Sequence, residues 1–326
     1  MGIPILLFLL GLVLLVKGGD WFVDGAGGLA YRLHLPEVLI GATVVSIGTT
    51  LPEVMVSATS ALSGHGEIAY GNAIGSIICN TALIAALSVA IRPSKVDRRA
   101  ILLPVCFFFG AAALYAVIAY AAGKFTRLAG IALLLIFLAY MVISVRDALR
   151  SMPRGVELSD EPHPDDPSPS PLWKDLVLLV VGAALIAFGA DLLVDNGTLI
   201  AEWLGVPEAV IALTFVALGT SLPELVTAIT ALAKGHGALS LGNVIGANLF
   251  NLVLVSGVAT VLSPFAVPAG KTLGGISTSL LIDIPVMLFA MAFLCLPALL
   301  RGKLARWQGI TLLAVYAAFC VLQFAL

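Results

Sequence analysis

Charged side chains are scarce in this sequence. Asp, Glu, Lys and Arg make up 11% of its 326 residues against 60% hydrophobic, and the mean hydropathy is +1.09. So little charge cannot cover a soluble globular surface, which excludes a water-soluble fold. Strands of period two are missing as well, and that argues against a membrane β-barrel. Cysteine is sparse: Cys79, Cys106, Cys295 and Cys320 stand singly in apolar segments, with neither zinc spacing nor a disulfide framework, so packing is their expected role. The net charge of −2 offers no basic excess for nucleic acid, and no cofactor motif is present; neither nucleic acid nor cofactor is expected.

What the chain has in abundance is long apolar runs. A spanning helix needs about 20 apolar residues, and ten candidates lie near 3–30, 36–62, 67–91, 100–122, 126–149, 173–202, 207–233, 238–263, 275–299 and 305–325. The chain reads as an all-α polytopic membrane protein. No small-residue cleavage site follows the first run, so it is expected to be a retained helix.

A short segment occurs twice. Gly48-Thr49-Thr50-Leu51-Pro52-Glu53 is matched by Gly219-Thr220-Ser221-Leu222-Pro223-Glu224, 171 residues later. At the same offset Asp20 matches Asp191, Asp24 matches Asp195, Gly64-His65-Gly66 matches Gly235-His236-Gly237, and Gly71, Asn72, Gly75 and Asn80 match Gly242, Asn243, Gly246 and Asn251. The chain is thus expected to divide into repeat 1 (1–150), a linker (151–171) and repeat 2 (172–326). The linker carries six prolines beside Glu157, Asp160, Glu161, Asp165 and Asp166, and reads as flexible and solvated.

Five helices per repeat is an odd number, so the second copy enters the membrane from the opposite side and the repeats are inverted. Loop charge offers an independent test. With the N-terminus outside, the inner loops collect 13 of the 17 Lys and Arg residues, among them Arg32, Arg92, Lys174 and Lys234. The positive-inside rule therefore selects both termini outside and the linker in the cytoplasm, in a plasma (inner) membrane.

Each repeated motif places a carboxylate within an apolar stretch, where an ionised group costs ~3 kcal/mol or more and is a functional candidate by default. Pro52 and Pro223 lack an amide hydrogen, so the second and seventh helices should bend or unwind at mid-span and release carbonyls. Hydroxyls flank them in Thr49, Thr50, Thr220 and Ser221. Amides and a further hydroxyl follow in Asn72, Ser76, Asn80, Asn243, Asn248 and Asn251. Such an oxygen-rich set suits a hard cation such as Ca²⁺ or Na⁺.

These paired segments, followed by GNAIGSIICN at 71–80 and GNVIGANLFN at 242–251, resemble the two α-repeats of the Ca²⁺:cation antiporter superfamily, in its bacterial sodium/calcium exchanger branch. The resemblance implies the sodium/calcium exchanger fold of ten helices and an antiporter, not an enzyme. It implies Glu53 and Glu224 as central ligands of Ca²⁺ and Na⁺, and backbone carbonyls from Thr49 and Thr220. Hydroxyls from Thr50, Ser221 and Ser76 and the amides of Asn80 and Asn251 would complete the site. It further implies that helices 1 and 6 slide past the other eight. Two departures stand out. Ala247 occupies the place of a serine opposite Ser76, removing one hydroxyl and opening the way to H⁺ as counter-ion. Asn251 replaces the Asp of potassium-dependent relatives, which argues against K⁺ co-transport.

Two ionised carboxylates can be neutralised by one Ca²⁺ or by a set of monovalent ions, and competition for one site gives exchange. A channel would need a symmetric pore across subunits, and an intramembrane carboxylate enzyme would make less use of the flanking amides. Elsewhere, Lys17 and Asp20 are expected to pair along helix 1, Asp24 and Asp195 to sit near water at helix ends, and His65 and His236 to occupy surface turns. Asp283, near Pro285, has no repeat counterpart and would satisfy a kinked backbone.

Overall fold

The computed structural model describes residues 2–32, 35, 37–93, 95–151, 171–204, 221–269 and 272–325. They form ten helical segments: α1 (Gly2–Arg32), α2 (Glu37–Leu62), α3 (Gly66–Ile91), α4 (Arg98–Ala122), α5 (Arg127–Ser151), α6 (Leu172–Trp203), α7 (Leu222–Ala233), α8 (Gly237–Leu262), α9 (Ser279–Arg301) and α10 (Arg306–Ala325). Eight of these, all but α7 and α10, are long and apolar enough to cross a membrane. The expected linker at 151–171 lies almost entirely outside the described residues, and Gly219 and Thr220 lie outside them as well.

Polarity is distributed in the reverse of a soluble protein. Large apolar side chains such as Leu6, Leu128, Leu300 and Val321 point outward, while Ser46, Thr50, Glu53, Asn80, Asn243, Glu224 and Asn251 are buried. That arrangement fits a bilayer as solvent, where polar groups gain from meeting one another inside the bundle. The most enclosed helix is α8, packed against α2, α3, α4 and α5. Phe250 anchors it through edge contacts with Phe137 and Tyr140, at 5.1 and 5.9 Å between ring centres. Tyr140 in turn donates to the Ala42 carbonyl of α2 at 2.8 Å.

α1 and α6 form a long pair built on glycine. A Cβ added at Gly11 would lie 2.8 Å from the Gly189 carbonyl, and one at Gly18 2.9 Å from the Gly182 carbonyl. A third, at Gly25, would lie 2.6 Å from the Asp175 carbonyl. Seven-residue spacing keeps these glycines on one face, and the absence of side chains lets the backbones touch. At 31 and 32 residues the two helices exceed a perpendicular crossing.

Short contacts join the helix ends. The strand Lys124–Phe125 (β1), after α4, pairs antiparallel with Phe265–Ala266 (β2), after α8. Thr272–Leu273 (β3) and Ile276–Ser277 (β4) form a second antiparallel ribbon before α9. Lys95, before α4, bridges Lys303, before α10. In each inter-loop pair the two loops are ones that loop charge assigns to the same side of the membrane.

The Pro52 region departs from expectation. α2 continues as regular α-helix over Ser46–Leu62 with Pro52 inside, and its irregularity is a π turn at Gly41–Val45, about two turns before the proline. Pro52 costs only the single bond to the Gly48 carbonyl, and neighbouring helices absorb such a loss without unwinding. In the second repeat a helix does start at the motif: α7 begins at Leu222 behind Ser221, with Pro223 in its first turn, where no amide is needed.

Candidate functional site

The repeated motifs bring their carboxylates together at the centre of the bundle. Glu53 and Glu224 are both 0% exposed, and Glu53 feels the charge of Glu224. None of their four carboxylate oxygens has a hydrogen-bond partner. The hydroxyls of Thr50 and Ser221 are likewise buried without partners, as are both amide atoms of Asn80 and of Asn251. Unmet buried polar atoms are rare in native proteins; here they concentrate on residues from both repeats. Ser76 and Thr49 are also buried.

Local structure explains how each ligand candidate is held. Glu224 lies in the first turn of α7, where the free amides of a helix N-terminus favour an anion. Glu53 sits mid-helix in α2 and is supported from α3: Asn72 Nδ2 donates to the Glu53 carbonyl at 3.2 Å and to Ser57 Oγ at 2.8 Å. Asn80 and Asn251 each open a π turn, Asn80–Ala85 in α3 and Asn251–Val255 in α8. A π turn adds a residue to the helical repeat and re-aims the side chains at its start; such turns recur at functional sites.

The resemblance implies a backbone carbonyl from Thr49, and the side chain of that residue is occupied elsewhere. Its hydroxyl stands beside the Glu224 carboxyl but donates to Asn243 Oδ1 at 3.3 Å, an acceptor shared with Ser46 Oγ at 3.3 Å. Asn243 thus fastens α8 to α2 directly behind the site. On the far side Asn248 Nδ2 donates to Thr81 Oγ1 at 2.7 Å and to Met291 Sδ at 3.1 Å, fastening α8 to α3 and α9. Asn72, Asn243 and Asn248 stand out in the sequence as buried-segment amides; their positioning partners Ser46, Ser57, Thr81 and Met291 carry no signal there beyond polarity or size.

Ala247 is 0% exposed, so no hydroxyl is offered at the repeat position of Ser76. Among the described residues no three of His, Cys, Asp and Glu cluster. A cation here would therefore meet two carboxylates and otherwise neutral oxygens, the donor set of a hard ion.

The remaining polar residues have mostly structural places. Asp20 and Asp24 pair with Lys234 rather than Asp20 with Lys17. Asp283 ends a π turn at Ser279–Asp283 and accepts from Gln323 Nε2 at 2.6 Å. His236 Nδ1 lies 2.6 Å from Glu37 Oε1, and His65 is exposed in its turn. Cys79 and Cys295 are buried, in keeping with packing.

Comparison with known proteins gives one consistent picture. The family described as sodium/calcium exchanger protein matches residues 3–146 and 174–325. A putative antiporter, CaxA of Alkalimonas amylolytica, is 34% identical over 325 residues, covering 97% of each chain. Sodium/calcium exchanger MaX1 of Methanosarcina acetivorans is 31% identical over 352 residues, covering 98% of each. The solved structure of the sodium-calcium exchanger NCX_Mj superposes with a TM-score of 0.80 at 34% identity, covering 98% of each chain.

Proposed function

Because the chain belongs to the sodium/calcium exchanger family, a family of transporters and not enzymes, we propose that it exchanges Ca²⁺ for Na⁺ across a cell membrane at one site shared by Glu53 and Glu224. One observation carries this reading: two carboxylates from equivalent motifs are fully buried, interact electrically, and leave every oxygen without a protein partner. Left empty and ionised, such a pair costs several kcal/mol per charge. A single Ca²⁺ neutralises both; so does a pair of monovalent ions.

The proposed ligands are Glu53 and Glu224, with Thr50, Ser221, Ser76, Asn80 and Asn251 and the carbonyls of Thr49 and Thr220 around them. Ten membrane-crossing helices in two inverted repeats, 1–150 and 172–326, deliver them from opposite sides. Support for the inversion comes from the odd helix count, the loop charges, and the pairing of β1 with β2 and of Lys95 with Lys303. The termini then face outside and the linker faces the cytoplasm. Exchange follows because the empty, doubly charged site is too costly to cross, whereas the loaded one opens to either side.

Ala247 favours a second reading, Ca²⁺/H⁺ antiport, since the residue removes a hydroxyl from the Na⁺ ligands. Ca²⁺ uptake by proteoliposomes, under an imposed Na⁺ gradient and then under an H⁺ gradient, separates the two. Uptake driven by Na⁺ is the expected result, and uptake driven by H⁺ alone selects the second reading. Uptake indifferent to both gradients, or unitary currents through the purified protein, would overturn antiport.

A further inference from the structure

The repeats differ at another position, far from the buried oxygens. Residue 234 is Lys, whereas its counterpart at 63 is Ser. Lys234, in the turn between α7 and α8, reaches back to α1: its Nζ donates to the Asp24 carboxylate at 2.7 Å and to the Asp20 carbonyl at 3.0 Å. The Asp20 carboxylate lies 3.5 Å away. The same end of the bundle holds the His236–Glu37 contact, and Arg32 Nε stands 3.6 Å from Asp175. Here α1 is tied to the turn before α8.

The residues that the repeat relates to Asp20 and Asp24 have the opposite fate. Asp191 and Asp195 are exposed and line one end of a cleft of about 810 Å³ along α2 and α6, which passes Gly48, Pro52 and Pro223 beside the two glutamates and continues to Leu179. Asp20 and Asp24 are fastened to Lys234, whereas Asp191 and Asp195 are exposed beside the cleft.

We propose that Lys234 is a positioning residue for exchange: by tying α1 to the α7–α8 turn it biases the protein toward the state whose site opens at the Asp191/Asp195 end. This rests on the exchange reading above. The two inverted halves would otherwise provide two states of similar energy, and one unmatched lysine is enough to make them unequal. Its pairs are partly exposed, so they shift the ratio of the states modestly, by about two- to fivefold. For the same reason, removing the lysine leaves no carboxylate buried and unpaired, and the fold should tolerate it.

The test uses the full chain in proteoliposomes, with Cys106 and Cys320 replaced by Ser. The ratio of half-saturating Ca²⁺ on the two faces reports the ratio of the two states. Lys234→Ser, which copies Ser63, should change it about two- to fivefold, raising half-saturation on the cleft face and lowering it on the other. Lys234→Arg should restore the wild-type ratio, and Ser63→Lys should move it the opposite way. A second reading needs no transported ion. Gly27 stands against the His236 ring at the tied end, so maleimide labelling of Gly27→Cys should speed up about two- to fivefold when combined with Lys234→Ser. Wild-type protein that moves no Ca²⁺ would overturn the exchange reading while the labelling result still decides the tie. An unchanged ratio with unchanged labelling, or half-saturations that move together on both faces, would overturn the role of Lys234.

Discussion

Replacing Gly246 with Ala adds one methyl group where α8 crosses α2, and two opposing effects decide the result. Alanine is the better helix former by about 1 kcal/mol, which alone would stabilise the protein. The new Cβ, however, would collide with Ser46 Oγ and lie 2.6 Å from Ala42 Cα and 2.7 Å from the Ala42 carbonyl. Ser46 could rotate away, at the loss of its bonds to the Gly41 and Asn243 carbonyls at 2.7 and 3.0 Å. The Ala42 backbone cannot. Ordinary contact is about 3.4 Å or more, so the helices must separate by roughly 0.7 Å. Such overpacking costs about 1–3 kcal/mol, leaving a net loss of up to about 2 kcal/mol once the gain in helix propensity is subtracted, and a site in which Glu53 on α2 and Asn251 on α8 have moved apart. A displacement of that size is large against the 2.3–2.6 Å that a Ca²⁺–oxygen bond requires. Thermal unfolding in detergent should shift downward by a few degrees, and Ca²⁺ uptake should fall by an order of magnitude or more. A higher unfolding midpoint with wild-type uptake would mean that helix propensity outweighs the contact, and would refute this packing of α2 on α8.

Three other substitutions probe separate parts of the structure. Ala247→Ser returns a hydroxyl opposite Ser76 and should steepen the dependence of Ca²⁺ exchange on Na⁺; an unchanged Na⁺ dependence would show that this position takes no part in ion choice. Asn72→Leu removes the donor that holds the Glu53 carbonyl and Ser57, at about 1–3 kcal/mol. It should weaken Ca²⁺ binding about tenfold or more in equilibrium titrations, and wild-type affinity would discount the support from α3. Gly182→Leu drives a side chain into the Phe22 backbone, 2.6 Å from a Cβ. It should force α1 and α6 apart, abolishing transport while leaving the α8-centred core folded by circular dichroism; normal transport would contradict the close pairing.

Much of this was legible in the residues themselves. The offset of 171 aligns Glu53 with Glu224 and Asn80 with Asn251, because a carboxylate or amide leaves a mark in an apolar run that no packing residue leaves. The eight long apolar helices followed from hydropathy for the same reason. Other features were not legible because they depend on what stands opposite. Proline signals a missing amide, yet only the surrounding helices decide whether the chain unwinds, and at Pro52 it does not. The π turns at Asn80 and Asn251 arise from one extra residue in the helical repeat, which no residue type announces. Lys234 reads as one more inward-facing charge until Asp24 is found 2.7 Å away. Thr49 could serve through carbonyl or hydroxyl, and Asn243 takes the hydroxyl.

One measurement addresses the shared site most directly: the number of Ca²⁺ ions bound per chain at equilibrium, by isothermal titration of the purified protein and of Glu53→Gln and Glu224→Gln. If the two carboxylates form one site, the wild-type protein binds one Ca²⁺ that Na⁺ displaces competitively, and either substitution alone abolishes that binding. Should each single variant still bind one Ca²⁺ while the wild type binds two, the glutamates belong to separate sites and the exchange mechanism built on their union fails.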